Sequence, residues 1–178
     1  EDYSILKIPN NMYIWATMNS ADQGVQPMDT AFKRRWEGYE YIGINDNFEP
    51  IKDIKIPLPV SEGNYELYNW DKVRRELNRI LKEEANVNED KLMGPFFISK
   101  HKLDEYTTVT SNDTEKCREF AKLFKSKILM YLFEDAAKMA HSKVFPSDGK
   151  KLHYSDICEK FDKEGLSVFG LDAGKFKA

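Results

Sequence analysis

Apolar and polar positions follow two different periods in the two halves of the chain. Residues 12–17, MYIWAT, form a short apolar run after a Pro-Asn-Asn turn, which predicts a central strand. A polar loop over 18–27 leads into 28–35, whose pattern predicts a short helix with Asp29 in its first turn and bases in its last. Residues 39–44, YEYIGI, alternate like a second strand. This order indicates the end of an α/β sheet domain rather than a complete one.

The middle of the chain contains several residues that interrupt regular structure. They are Pro50, Pro57, Pro59 and Gly63. We interpret 46–68 as a linker with little regular structure. The predicted organisation is therefore 1–45 as the end of an α/β core, 46–68 as the linker, and 69–178 as an α-helical unit.

Beyond residue 68 the apolar positions follow a helical period. The first predicted helix is capped by Asn69. Its inward-facing residues are Trp70, Val73, Leu77, Ile80 and Leu81. A longer helix is predicted to begin near Asp113 or Thr114, with an apolar face of Cys117, Phe120, Ala121, Phe124, Ile128, Tyr131 and Leu132. Residues 154–161 predict a last short helix, with Ile157 and Phe161 inward. The fold class expected from the whole pattern is α/β plus α.

Composition limits the possible partners and compartments. The chain has 27 basic and 30 acidic residues, a net charge of −3, so it has no overall attraction for nucleic acid or anionic membranes. DNA contacts are therefore expected in regions outside this chain. The distant Cys117 and Cys158 favour a reduced, cytoplasmic protein. No apolar run approaches the ~20 residues that a bilayer requires, so no membrane association is expected. With no initiator Met and no signal peptide, the chain is expected to be part of a longer protein.

Several familiar sites are not supported by the sequence. Gly165 and Gly170 have the glycine spacing of a phosphate-binding loop, but Leu171 and Asp172 follow them in place of Lys and Ser or Thr. Glu134 and Asp135 end an apolar run, where the helical period favours a core helix with a solvated acidic edge. The three histidines, His101, His141 and His153, have no metal-ligand spacing and are assigned to surface or core roles.

The stretch from Asn19 to Arg35 keeps two interpretations open. An Asn that leaves a central strand can hold a water at the carboxyl edge of a sheet, where open α/β sheets bind ligands. Arg34 and Arg35, past a short helix, can reach a γ-phosphate on a neighbouring subunit. Alternatively, Asn19 forms a turn and the arginines are a solvated helix end, with Asp29 and Lys33 as an ordinary i,i+4 pair.

The string IPNNMYIWATMNSADQGVQPMDTAFKRRW, residues 8–36, resembles the segment from sensor 1 to the arginine finger of AAA+ proteins of the McrB type. Members of that family typically contain I-P-x-N, then T-M-N-[ST]-A-D, then L/M-D-x-A-x-[RK]-R-R-[FW]. The later strings VRRELNRIL and EDKLMGPFFIS are similar to the helical lid of the same family. The resemblance implies the C-terminal part of an AAA+ P-loop NTPase sheet domain followed by a helical lid.

The resemblance also implies roles for individual residues. Asn19 corresponds to sensor 1, which orients the attacking water, and Arg34 and Arg35 correspond to arginine fingers that act on nucleotide held by the adjacent subunit. Asp29 matches the acidic position before the finger helix, as a helix start or an intersubunit partner. Asp22 matches the acid of the M-N-x-A-D motif, for which we expect a role in loop architecture. The following residue is commonly Arg in the family, and Gln23 stands there in this chain.

By the same resemblance, the longer protein is expected to hydrolyse GTP (or ATP) with Mg²⁺ and to form a ring. It would drive DNA translocation for a restriction endonuclease whose nuclease subunit is of the McrC type. Because the phosphate loop and the acidic metal site precede sensor 1 in that family, this chain alone is expected to bind no nucleotide and to be inactive. Two rivals remain. One is a MoxR-like or dynein-related AAA+ ATPase chaperone, and the other is an interaction module that does not hydrolyse nucleotide.

Overall fold

The chain forms two compact units, Glu1–Tyr39 and Glu40–Ala178. The computed structural model describes residues 8–16, 29–36, 38, 51–147, 149 and 151–178. In the first unit the described regular structure is one helical turn, α1, Thr30–Lys33. The predicted helix over 28–35 is therefore present but shorter than the pattern indicated.

Residues 12–16 do not form the predicted central strand. They have no strand assignment, and their large apolar side chains are exposed, with Tyr13 at 75% and Trp15 at 84%. The prediction was wrong for these residues because an apolar run becomes a strand only by pairing, and the described residues of this unit offer no strand to pair with. The second predicted strand, 39–44, and Thr17 lie outside the described residues.

The second unit begins with an antiparallel hairpin of β1, Lys55–Ser61, and β2, Asn64–Asn69. Ile56 pairs with Tyr68 and Leu58 with Glu66, and the side chains of Ile56 and Leu58 are fully buried. The prediction of little regular structure over 46–68 is therefore wrong for 55–68. The hairpin packs into the same core as the helices, so the helical unit begins well before residue 69.

The prolines of β1 explain why the sequence concealed this hairpin. Pro57 and Pro59 pair with Leu67 and Tyr65 in the register of the hairpin. Proline has no N–H to donate, and it is tolerated in a strand whose second edge forms no sheet hydrogen bonds. The described sheet has two strands, β1 and β2, so β1 has such an edge.

Helices complete the second unit. Their bounds are Trp70–Arg79 (α2, continued by a π-helical turn at Ile80–Glu84), Lys100–Tyr106 (α3), Thr114–Phe124 (α4, continued by π-helical turns at Lys125–Leu129 and Leu132–Ala136), His141–Val144 (α5) and Tyr154–Glu164 (α6). Short 3₁₀ turns cover Glu89–Lys91, Gly165–Phe169 and Ala173–Phe176.

The predicted helix starts are confirmed. Asn69 caps α2, since its Oδ1 accepts from the Lys72 N–H at 2.9 Å. Asp113 caps α4 in the same way, accepting from the Lys116 N–H at 3.2 Å. These side chains satisfy amide groups that the first turn of a helix leaves without a partner.

The core of the second unit lies between the hairpin and helices α4 and α6. Phe124 of α4 stacks on Phe161 of α6, with ring centroids 5.1 Å apart and planes at 3°. Trp70 is fully buried and its Nε1–H donates to the Pro95 carbonyl at 2.9 Å, so its polar atom is satisfied inside the core. Among the described residues, no helix is both long and apolar enough to cross a membrane.

Candidate functional site

Asp29 immediately precedes helix α1, and the predicted arginines, Arg34 and Arg35, immediately follow it. The Asp29 carboxylate accepts a hydrogen bond from the Ala31 N–H, which makes Asp29 the N-cap. The helix closes with Arg34 N–H donating to Thr30 O and Arg35 N–H donating to Phe32 O, both at 3.1 Å. An acid at the first position and bases at the last complement the helix dipole. Asp29 therefore lies at the start of α1, and its role as an intersubunit partner stays a prediction.

Arg34 and Arg35 are exposed at the end of this turn. Two aromatic rings flank them in sequence, Phe32 and Trp36, with centroids 6.1 Å apart and planes at 55°. Among the residues that the structure describes, neither arginine forms an ion pair or a side-chain hydrogen bond. A guanidinium presents planar N–H donors suited to phosphate oxygens, so this end of α1 can meet an anionic group.

The other predicted members of the site lie outside the described residues. They are Asn19 and Asp22, together with Gln23 and the side chain of Lys33. The structure therefore brings Asp29, Arg34 and Arg35 to one helical turn and leaves the sensor role of Asn19 a prediction. The alternative Asp29–Lys33 ion pair is likewise a prediction.

Glu134, Asp135 and the three histidines all lie within the described residues. No group of three or more His, Cys, Asp or Glu side chains within 8–16, 29–36, 38, 51–147, 149 and 151–178 could hold a metal ion. Glu134 and Asp135 are exposed on the edge of a helix whose inner face is buried, as predicted. His101 lies on the surface with Nε2 3.1 Å from Glu105.

A buried polar network in the second unit was not found from the sequence. The Arg74 side chain is fully buried, and its Nη2 lies 2.7 Å from Asp71 Oδ1. Arg74 Nη1 and Asn78 Nδ2 both donate to the Met93 carbonyl, at 3.0 and 2.9 Å, and the Met93 N–H donates to Asn78 Oδ1 at 2.8 Å. The spacing of Asp71, Arg74 and Asn78 along one helix face was the available signal. These hydrogen bonds connect α2 to the loop that contains Met93.

A cleft of about 620 Å³ was also missed. We call it the basic cleft, and its lining residues are Phe133, Glu134, Lys138, Met139, Ala140, His141, Ser142, Ser147, Lys151, Leu152, His153 and Tyr154. The concentration of Lys and His over 138–153 was the sequence signal for it. Its geometry brings together side chains from the end of the α4 segment, α5 and the start of α6.

Two hydrogen bonds fix the walls of the basic cleft. His141 Nε2 lies 2.7 Å from the Phe133 carbonyl, which can only accept, so this nitrogen carries the proton. The Tyr154 hydroxyl donates to the Lys125 carbonyl at 2.9 Å. Burial, and secondarily a hydrogen bond to Cys158, raises the pKa of Tyr154, so its hydroxyl remains protonated as a donor. Both acceptor carbonyls belong to the π-helical region that continues α4.

Comparison with known proteins gives one relevant similarity. The chain is 35% identical over 173 residues to the type II restriction enzyme BsuMI component YdiS of Bacillus subtilis (strain 168). The match covers 97% of this chain and 44% of that protein, so the chain spans less than half the length of this relative. No protein-family model matches the chain, and no solved structure matches it. Along almost its whole length, the chain is thus similar to part of a restriction enzyme component.

Proposed function

We propose that the chain is part of a nucleotide-hydrolysing AAA+ subunit of a restriction endonuclease, with GTP the preferred nucleotide. Such a subunit forms a ring, and hydrolysis drives DNA translocation toward cutting by a separate nuclease subunit of the McrC type. In this proposal Asn19 orients the attacking water, while Arg34 and Arg35 act on the nucleotide of the adjacent subunit.

The observation that carries the restriction assignment is the 35% identity to the BsuMI component over 97% of the chain. A similarity that extends over both compact units favours a shared role more strongly than a match to one motif. It supports membership of a multi-component restriction system. The finer assignment to a GTP-hydrolysing ring is our inference from residues 8–36.

The exposed end of α1 supports the finger role. Asp29 starts the helix, and Arg34 and Arg35 follow its last turn with exposed side chains. Each guanidinium can donate to non-bridging phosphate oxygens and offset the negative charge that develops during transfer to water. An arginine supplied to a neighbouring subunit needs this exposure. A solvated helix end is exposed as well, so the two roles are separated by removing the arginines.

This chain has residues suited to the phosphates of a nucleotide, but its described residues do not form a site for Mg²⁺. Arg34 and Arg35 suit the phosphate oxygens of GTP or ATP. Mg²⁺ prefers carboxylate and water oxygens, and the described residues hold no cluster of carboxylates and other ligands for it. The proposal therefore assigns to this chain contacts with phosphate and water, and it assigns no metal ligand.

The two rivals differ from this proposal in measurable ways. A MoxR-like or dynein-related chaperone would hydrolyse ATP in preference to GTP and would not require DNA. An interaction module would hydrolyse neither nucleotide, and its arginines would be dispensable. Nucleotide preference and the effect of removing the arginines therefore separate the three candidates.

The test is steady-state hydrolysis of GTP and ATP by the full-length subunit that contains this chain, with and without the Arg34→Ala, Arg35→Ala double substitution. We expect GTP-selective turnover that falls about 10³-fold or more in the variant, because the transition-state charge is no longer neutralised. Nucleotide binding, measured separately, is expected to persist in the variant.

The matched control removes two positive charges elsewhere. Arg118 and Lys122 are exposed on α4, and no described residue forms an ion pair with either. Arg118→Ala with Lys122→Ala should leave turnover within a few-fold of the unmodified subunit. ATP-selective turnover would favour the chaperone. A turnover rate that is unchanged when Arg34 and Arg35 are replaced would exclude the finger role.

A further inference from the structure

The basic cleft has a local excess of positive charge in a chain whose net charge is −3. The described residues that line it include Lys138 and Lys151, two histidines and one carboxylate, that of Glu134. Both lysines are exposed, and within the described part of the chain neither forms an ion pair. The ammonium groups of Lys138 and Lys151 are therefore available for a ligand.

The walls of the cleft are held in place by packing. The ring of Phe133 stacks on His141 at 4.1 Å with planes at 3°, and it contacts Tyr154 with centroids 6.0 Å apart. Val144 and Phe145, which end and follow α5, are buried in the core. The wall that contains His141 and Ser142 is therefore anchored to the core. A preformed site loses less conformational entropy when it binds a ligand.

The chemistry of the lining selects an anion. Among the described lining residues there is one carboxylate, which is too few for a hard divalent cation that takes several oxygen ligands. The lysine ammonium groups, the His153 imidazole and the Ser142 hydroxyl can donate to phosphate oxygens. Half-buried Phe133 and Tyr154 add an aromatic wall of the kind that nucleic-acid grooves combine with positive charge.

We propose that the basic cleft binds the phosphate backbone of a DNA strand through Lys138 and Lys151. The lining residues indicate that the ligand carries phosphate groups. That these phosphates belong to DNA rests on the proposed function in restriction. The expectation that DNA contacts lie outside this chain came from net charge. Net charge averages over the whole surface, whereas phosphate responds to the local field of a cleft.

The test is fluorescence anisotropy of labelled single-stranded and duplex DNA with the 178-residue chain, comparing it with the Lys138→Gln, Lys151→Gln double variant. Each phosphate contact contributes about tenfold in affinity near 50 mM salt, so we expect the variant to bind roughly 10- to 100-fold more weakly. The slope of log K against log salt should also decrease by about 1.4 for single strands and about 1.8 for duplex.

The matched control is Lys72→Gln with Lys163→Gln, which removes the same charge from exposed positions on α2 and α6 outside the cleft. Far-UV circular dichroism of both variants checks folding. The proposal predicts full binding and an unchanged salt slope for the control. If both variants lost the same affinity for DNA, the effect would come from overall charge and the proposal would be overturned. Absence of DNA binding by the unmodified chain would also overturn it.

Inorganic phosphate and GTP serve as competitors. Displacement of DNA only at phosphate concentrations far above those of an oligonucleotide supports a backbone site. Displacement by micromolar GTP would make the cleft a nucleotide site and overturn the proposal. Because hydrolysis depends on Arg34 and Arg35, failure of this inference leaves the proposed function intact, and failure of hydrolysis leaves the DNA measurement interpretable.

Discussion

Gly165 ends α6 and lies against the backbone of β1. Its φ is +55°, and a Cβ at this position would lie 1.9 Å from the Pro59 carbonyl oxygen. Sequence spacing had associated this residue with a phosphate loop, which the following residues ruled out. The structure gives it a different reason to be glycine: helix and strand approach too closely there for a side chain.

Gly165→Ala should therefore destabilise the chain strongly. The contact involves backbone atoms on both sides, so no flexible side chain can move away, and the positive φ adds strain. We expect a loss of about 3 kcal/mol or more in the free energy of unfolding, measured by urea denaturation. At Gly94 a Cβ would meet no atom within 4 Å. Gly94→Ala is the control, and a comparable loss there would contradict this explanation.

Individual site residues were predictable to different degrees. Asp29, Arg34 and Arg35 could be placed on one short helix because an acid at the start and bases at the end are local signals. The full burial of Arg74 could not be predicted. A charged residue within a helical pattern is normally assigned to the solvated face, and only the packing of the Met93 loop over α2 places it inside.

At the scale of elements, α2 is joined to the following loop by the Asp71–Arg74–Asn78 network. Asp71 serves both neighbouring arginines, since its Oδ2 also lies 2.7 Å from Arg75 Nη2. A buried guanidinium without its carboxylate retains the cost of desolvation and loses the compensating attraction. Losing one partner of this buried network should therefore destabilise the chain more than losing one partner of an exposed ion pair.

Asp71→Asn is expected to lower the free energy of unfolding by about 3–5 kcal/mol, because it leaves Arg74 buried with an uncompensated charge. The same change at exposed Asp104, which pairs with Lys100 at 2.8 Å, should cost less than about 1 kcal/mol. Denaturant titration of both variants measures the difference. Similar costs at the two positions would mean that Asp71 is a surface acid in solution.

Helices were easier to predict than strands in this chain. The starts of α2 and α4 could be identified because Asn69 and Asp113 are capping residues directly before helical periods. The hairpin was missed because Pro57 and Pro59 normally interrupt strands, and only the pairing of β1 with β2 shows that they are accommodated. Residues 12–16 show the reverse error, since β-favouring composition alone does not supply a partner strand.

At the scale of the whole molecule, the proposed function requires that the arginines of one subunit complete the nucleotide site of the next. The chain spans 44% of its restriction-enzyme relative, so the claim concerns the full-length subunit. In a ring, each nucleotide site would take Asn19 from its own subunit and Arg34 and Arg35 from a neighbour. Defects in the two groups should therefore complement each other between subunits.

The most direct measurement mixes an Asn19→Ala subunit with an Arg34→Ala, Arg35→Ala subunit and follows GTP hydrolysis. Each variant alone should be nearly inactive. At equal amounts, random assembly makes roughly a quarter of the interfaces complete, and we expect roughly that fraction of the unmodified rate. Co-capture through two different affinity tags verifies that mixed rings form. Mixed rings that remain as inactive as the separate variants would contradict the account.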